Sequence, residues 1–137
     1  ITVQTTSDNK TERDETLNFT LSSPTNAIIS NGTVIGTIRN DDQRPTIGIQ
    51  ANQGGTEGDQ LTFTVTLSNP SELPISVKYR TVDDTATVSD QDYVAASNTL
   101  TFNPGDISLT KTITVQTTAD NKFEPDERFL VQLFDAE

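Results

Sequence analysis

The side chains able to do chemistry in this chain are carboxylates, amides and hydroxyls. The 137 residues include no Cys and no His. Disulfide, thiolate and imidazole chemistry are therefore absent, and zinc and other borderline metals lose their usual S and N ligands. Against 9 Lys plus Arg stand 20 Asp plus Glu, a formal net charge of −11. A surface of that sign repels nucleic-acid phosphates and anionic headgroups and draws cations. Nucleic acid is accordingly not expected as a partner. The oxygen donors that remain suit a hard cation, calcium above all.

The acidic residues gather in short stretches. One group is Asp120, Glu124, Asp126 and Glu127 in DNKFEPDER, with a near copy at Asp8, Glu12, Asp14 and Glu15. Asn40, Asp41 and Asp42 form a second stretch. Asp83, Asp84, Asp90 and Asp92 form a third, and Glu57 and Asp59 sit in GGTEGDQ. Calcium takes six to eight oxygens at roughly 2.3–2.6 Å, often from several loops. Loops meeting at one pole of a sandwich can supply them. The same residues also suit plain solvated turns, where Asp is favoured for its own backbone hydrogen bonds. No EF-hand loop is present. The Glu124/Glu127 pair could in principle do glycosidase acid–base work, but short strands and short loops offer little from which to build a deep cleft.

The elements that must position these carboxylates are strands. Leu61, Phe63, Val65 and Leu67 alternate with Thr62, Thr64 and Thr66. The same period of two appears at Leu17, Phe19 and Leu21, at Ile75, Val77 and Tyr79, at Ile113 and Val115, and at Phe129, Val131 and Leu133. Such alternation marks strands buried on one face. Asn103-Pro104-Gly105-Asp106 predicts a turn, Pro setting its φ and Gly taking a positive one. The pattern describes an all-β chain, with a sandwich as the leading architecture. No apolar run approaches the roughly 20 residues of a membrane helix, so no direct membrane insertion is expected.

The chain also repeats itself. Residues 1–10 read ITVQTTSDNK and residues 113–122 read ITVQTTADNK. The match runs on through Glu12/Glu124, Asp14/Asp126 and Glu15/Glu127, and the offset from Ile1 to Ile113 is 112 residues, about one sandwich domain. The chain is therefore expected to be a fragment of a tandem array. Residues 1–42 read as the C-terminal strands of one repeat and 43–137 as the following repeat without its last strand, with residues 40–45 as the junction.

One stretch, TFTVTLSNPSELPISVKYRTVDDTATVSDQDYVAASNTLTFNPGDISLTKTITV, is followed by DNKFEPDERFLVQL. Together they strongly resemble the Calx-β repeat of sodium–calcium exchangers, an integrin β4 tail and large bacterial surface proteins. The specific parts are Tyr79-Arg80-Thr81 with Asp83, Thr85-Ala86-Thr87, Asp92-Tyr93, the Phe102–Gly105 turn and Glu124-x-x-Glu127. The resemblance implies a seven-stranded immunoglobulin-like β-sandwich. It implies a calcium site at one pole, from Glu57, Asp92, Asp120, Glu124 and Glu127 plus an acidic run that ends the last strand. In the preceding repeat the corresponding residues are Asp8, Glu12 and Glu15 with Asn40, Asp41 and Asp42. Tyr93 is expected to pack beneath its loop and orient Asp92.

Three departures from the family pattern stand out. Asn40 replaces an aspartate, Asp84 stands where a glycine is usual, and Lys122 sits inside the acidic loop. They point to fewer ions or weaker binding. The resemblance also implies neighbouring repeats as partners, an extracellular or cell-surface location, and an adhesive or structural role rather than catalysis. A calcium-free spacer is the rival reading. The six-residue junction reaches about 25 Å at full extension, whereas strands of seven to nine residues span roughly 23–30 Å. With Pro45 stiffening it, residues 28–39 are not expected to fold back onto their own following repeat. Head-to-tail donation of that strand to another chain is the expected alternative.

Overall fold

The computed structural model describes residues 1–52 and 54–137. Its strands are β1 (Glu15–Thr20), β2 (Thr33–Ile38), β3 (Ile47–Ala51), β4 (Gln60–Leu67), β5 (Ile75–Asp83), β6 (Ser97–Phe102), β7 (Thr110–Gln116) and β8 (Phe129–Phe134). Every ladder is antiparallel. Two three-stranded sheets, β3-β4-β7 and β6-β5-β8, form a sandwich, and β1 and β2 make a separate two-stranded sheet. β2 pairs with β1 and not with β8, in keeping with the short reach of the junction.

The alternating residues become the core. Val65, Leu67, Ile113 and Val115 from one sheet meet Phe102 from the other, with Ala86 and Tyr93 from the loop between β5 and β6. Ile47, Ile49 and Phe63 pack on this cluster from one side, and Tyr79, Leu100, Phe129, Val131 and Leu133 from the other. The intervening Thr residues of β4 and β7 serve the ladder and the outer face, as β-branched polar residues do. At the turn after β6, Gly105 has φ +84°, Asp106 N–H donates to the Asn103 carbonyl at 3.0 Å, and the Asp106 carboxylate accepts from Asn103 N–H at 2.9 Å. The predicted Pro-Gly turn is therefore present, and it begins the crossing from β6 to β7 in the other sheet.

The loop that carries Asp92 is locked to the core through its neighbour. The Tyr93 ring stacks on Phe129 with centroids 4.4 Å apart, and Phe129 meets Phe63 edge to face at 6.1 Å. Aromatic pairs of this kind add about 0.5–1.5 kcal/mol beyond their burial. The Tyr93 hydroxyl donates to Asp83 Oδ1 at 2.5 Å. It therefore does not hold Asp92 directly; it ties the loop to the end of β5.

The β1–β2 sheet is joined to the sandwich by a loop contact rather than by a ladder. Thr11 N–H donates to the Pro70 carbonyl at 3.1 Å, and Glu72 N–H donates to the Thr11 carbonyl at 2.9 Å. The Glu72 carboxylate accepts from Arg13 N–H at 2.8 Å, and Asn69 Nδ2 donates to the Thr11 hydroxyl and to the Gln43 carbonyl, both at 3.1 Å.

Burial, and then the hydrogen bond to Asp83, push the Tyr93 phenol up to about 12. An unfolded tyrosine ionises near 10. The folded value is the higher one, so the contribution of Tyr93 is complete below pH ~10 and is lost as pH rises toward about 12. In a Tyr79→Phe chain, which leaves Tyr93 as the sole tyrosine, ultraviolet titration should show tyrosinate forming near the upper value. A midpoint close to 10 would contradict the buried, hydrogen-bonded placement.

Candidate metal centre

Three loops converge at one pole of the sandwich. The first is the Thr56–Asp59 turn before β4. Asp59 Oδ2 accepts from Thr56 N–H at 2.8 Å and from its hydroxyl at 3.0 Å, and these bonds, the backbone one first, hold the Asp59 carboxyl below the usual range. Gly58 at φ +85° lets the turn close, and a Cβ there would lie 3.2 Å from Ala119 Cβ. Asp59 is thus engaged by the turn, and Glu57 lines the cleft.

The second loop joins β5 to β6. Asp92 Oδ2 accepts from Thr87 N–H at 2.6 Å, while Asp92 N–H donates to the Thr87 carbonyl at 3.1 Å. The Asp92 carbonyl in turn accepts from Thr118 N–H at 2.9 Å. Thr87 and Thr118, rather than Tyr93, therefore set the position of Asp92. The third loop joins β7 to β8. Asp120 Oδ1 accepts from Lys122 N–H at 2.7 Å, a local turn that starts the acidic stretch.

These loops enclose a cleft of about 470 Å³ lined by Glu57, Asp92, Asp120, Glu124, Asp126 and Glu127, with Ala86 and Phe129 on its inner wall. All five residues assigned to this pole from sequence therefore line one cleft. Asp90, Asp92 and Glu124 each place a carboxylate oxygen within 4.8 Å of the others. Two oxygens bound to one calcium lie at most roughly 5 Å apart, twice the calcium–oxygen distance. The donor set is all hard oxygen, so it fits calcium in both chemistry and spacing. Asp90 was not among the assigned ligands. Its signal was the Asp90-x-Asp92 spacing, and Gln91 between them turns the chain at φ +70°. Asp84, from the same acidic stretch, is instead engaged by Arg128.

The carboxylates feel one another. Packing around Glu127, and then the charges of Asp92, Glu124 and Asp90, raise its carboxyl above the usual range. The compensating charge is Lys122. Its Nζ lies 2.6 Å from Asp90 Oδ1, 3.4 Å from Glu124 Oε1 and 3.8 Å from Asp120 Oδ2. These carboxylates, the hydrogen bond to Asp90 foremost, hold its ammonium above the ordinary lysine value.

The earlier copy makes a smaller version of the same arrangement. Asp8 Oδ1 accepts from Lys10 N–H at 2.9 Å, as Asp120 does from Lys122, and the Lys10 ammonium pairs with Glu12. Asn40 Oδ1 accepts from Glu12 N–H at 2.9 Å, and Asn40 N–H donates to Asp14 Oδ1 at 3.0 Å. Packing first, then the charges of Asp41, Asp8 and Glu12, raise the Asp42 carboxyl. Asp8, Glu12, Asn40, Asp41 and Asp42 are thus one neighbourhood. Glu15, at the start of β1 opposite Ile38, is not among the charges acting on Asp42. One copy of the acidic loop thus lies with Glu57 and Asp92, and the other with Asp41 and Asp42.

Residues 40–137 match the Calx-beta domain family, a family of binding modules rather than enzymes. The fold is similar to the crystal structure of the apo-form Calx CBD1 domain, with a TM-score of 0.52 and 25% identity, covering 66% of this chain and 81% of that one. No curated protein matches the chain. The β-sandwich and a family match extending over well more than half of the sequence place this chain in the Calx-beta family.

Proposed function

We propose that this chain is a calcium-binding structural module, its ion held in the cleft between the Thr56–Asp59 turn, the β5–β6 loop and the β7–β8 loop. The observation that carries this reading is the convergence of Asp90, Asp92 and Glu124 oxygens within 4.8 Å. Asp92 and Glu124 would be central ligands, with Glu57, Asp120 and Glu127 completing the shell from the walls. A bound cation cancels the mutual repulsion of these groups and adds a further tie among three loops already bridged by the Thr118–Asp92 hydrogen bond and the Lys122–Asp90 ion pair. In a tandem array of such units on a cell surface or in a secreted protein, that would stiffen each pole. The Asp41–Asp42 neighbourhood lies beside the Thr11–Glu72 contact, so stiffening there would extend to the junction between units.

One observation favours a second reading, a calcium-independent spacer. Lys122 already supplies a positive charge to Asp90, Asp120 and Glu124. If that ammonium serves as the resident counter-ion, the pole is stable without metal.

Thermal unfolding of the full chain separates the two readings. Calcium at about 100 times its dissociation constant adds roughly 2.7 kcal/mol, so millimolar calcium should raise Tm by several degrees over excess EGTA. Magnesium, which demands a tighter octahedron, should do less. Asp92→Asn and Glu124→Gln should each abolish the rise. An identical midpoint in EGTA and calcium would support the spacer.

Lys122 gives a second test. A positive charge seated among the ligand carboxylates opposes an incoming cation. Lys122→Gln should therefore tighten calcium binding by about tenfold in calorimetric titration, while lowering the midpoint in EGTA. Unchanged affinity would show that Lys122 does not oppose the ion.

A further inference from the structure

We infer that the β4–β5 turn, residues 68–72, is a docking seat for the acidic loop of the preceding repeat, and that the two together clamp residues 40–45 into a rigid joint that holds without a bound cation. The inference rests on reading the chain as consecutive units of an array. It does not rest on calcium.

The joint begins in the main chain. β4 and β5 lie in different sheets, so the turn between them crosses the end of the sandwich. Thr11 docks on that turn. Its N–H donates to the Pro70 carbonyl at 3.1 Å, and its carbonyl accepts from Glu72 N–H at 2.9 Å. This is one step of a parallel ladder, with Thr11 opposite Ser71. Two bonds of this kind fix both the spacing and the direction of the segments they join.

Side chains then draw in the junction. Asn69 Nδ2 donates to the Thr11 hydroxyl and to the Gln43 carbonyl, both at 3.1 Å, and the Thr11 hydroxyl donates to that same carbonyl. The Asn69 carbonyl oxygen accepts from the Ser68 hydroxyl at 2.6 Å. Ser68 in turn is bonded twice to Thr46: its N–H donates to the Thr46 carbonyl at 3.0 Å, and its Oγ accepts from Thr46 N–H at 2.9 Å. At the other end of the junction, Asn40 accepts from Glu12 N–H and donates its own N–H to Asp14. The segment is thus held by the acidic loop at Asn40, by both partners at Gln43 and by the seat at Thr46. Pro45 removes further freedom at φ. A linker tied at these three points is not a hinge. Glu72 closes the outer side by accepting from Arg13 N–H at 2.8 Å. The Arg13 side chain is 74% exposed, so its ion pair with Glu72 adds little.

The seat also sets the polarity of the array. β4 has the Thr56–Asp59 turn before its first residue and the seat after its last, and its 8 residues separate the two by roughly 25 Å. The loop that occupies the seat, residues 8–15, corresponds by the 112-residue offset to residues 120–127, which contribute to the cleft. The cleft-end loop of one unit therefore rests on the far end of the next, and units joined this way stack in a single direction.

Amide-resolved NMR of the full chain in EGTA tests the joint. Residual dipolar couplings from the β1–β2 sheet and from the two larger sheets should fit one common alignment tensor. The Thr11 and Glu72 amides should exchange at least about tenfold more slowly than the exposed amides of residues 25–28. Asn69→Asp keeps the shape of the side chain but sets an oxygen, in place of the donating nitrogen, against the Gln43 carbonyl. In that variant the β1–β2 sheet should need a tensor of its own, and exchange at Thr11 and Glu72 should quicken by about tenfold. Amides of β1, β2, β4 and β7 should keep their protection, which shows that both units remain folded. Glu72→Gln retains an acceptor for Arg13 N–H and should keep the single tensor. Separate tensors in the parent chain, or a single tensor in Asn69→Asp with Thr11 still protected, would overturn the joint. A common tensor that appears only when calcium is added would also overturn it, while leaving the calcium site standing.

Discussion

Carboxylates from Asp90, Asp92 and Glu124 crowd together at one pole, with Glu57, Asp120 and Glu127 close behind, and like charges so placed repel. That repulsion is offset by a positive charge, and Lys122 supplies one. Much of the local structure exists to hold the crowded groups in place: the Asp59 turn that presents Glu57, the Thr87 and Thr118 bonds that fix Asp92, and the Tyr93–Phe129 stack beneath them. The sandwich supplies the stiffness against which loops can be pressed together, since its two sheets share one aliphatic and aromatic core.

Much of the fold was legible in the sequence, because period-two alternation is a direct consequence of strand geometry. Val65, Leu67, Ile113 and Val115 were marked as inward-facing by that pattern, and they are buried. The Pro104-Gly105 turn was legible from φ preferences alone. The resemblance placed Glu57, Asp92, Asp120, Glu124 and Glu127 at one pole, and all five line one cleft. Asp90 was less visible, because its role depends on how the chain bends at Gln91 and on where Lys122 reaches. The support for Asp92 was misassigned to Tyr93, since adjacency in sequence does not say which backbone N–H a carboxylate will meet. Nothing in the local pattern announced the Thr11–Glu72 contact, which joins segments about sixty residues apart.

The duplicated segment ties the pole to the edges of the sheets. Asp120, Lys122 and Glu124 repeat the turn and ion pair of Asp8, Lys10 and Glu12. Among the described residues, the first copy is followed by a strand paired to it, and the second lies with the loops carrying Glu57 and Asp92.

The account rests on the pole accepting a cation in place of Lys122. A crystal structure of the chain grown in millimolar calcium would test this most directly. It should show an ion about 2.3–2.6 Å from Asp92 and Glu124 carboxylate oxygens, with the Lys122 ammonium displaced from Asp90. Lys122 still seated on Asp90, with no ion among the carboxylates, would contradict it.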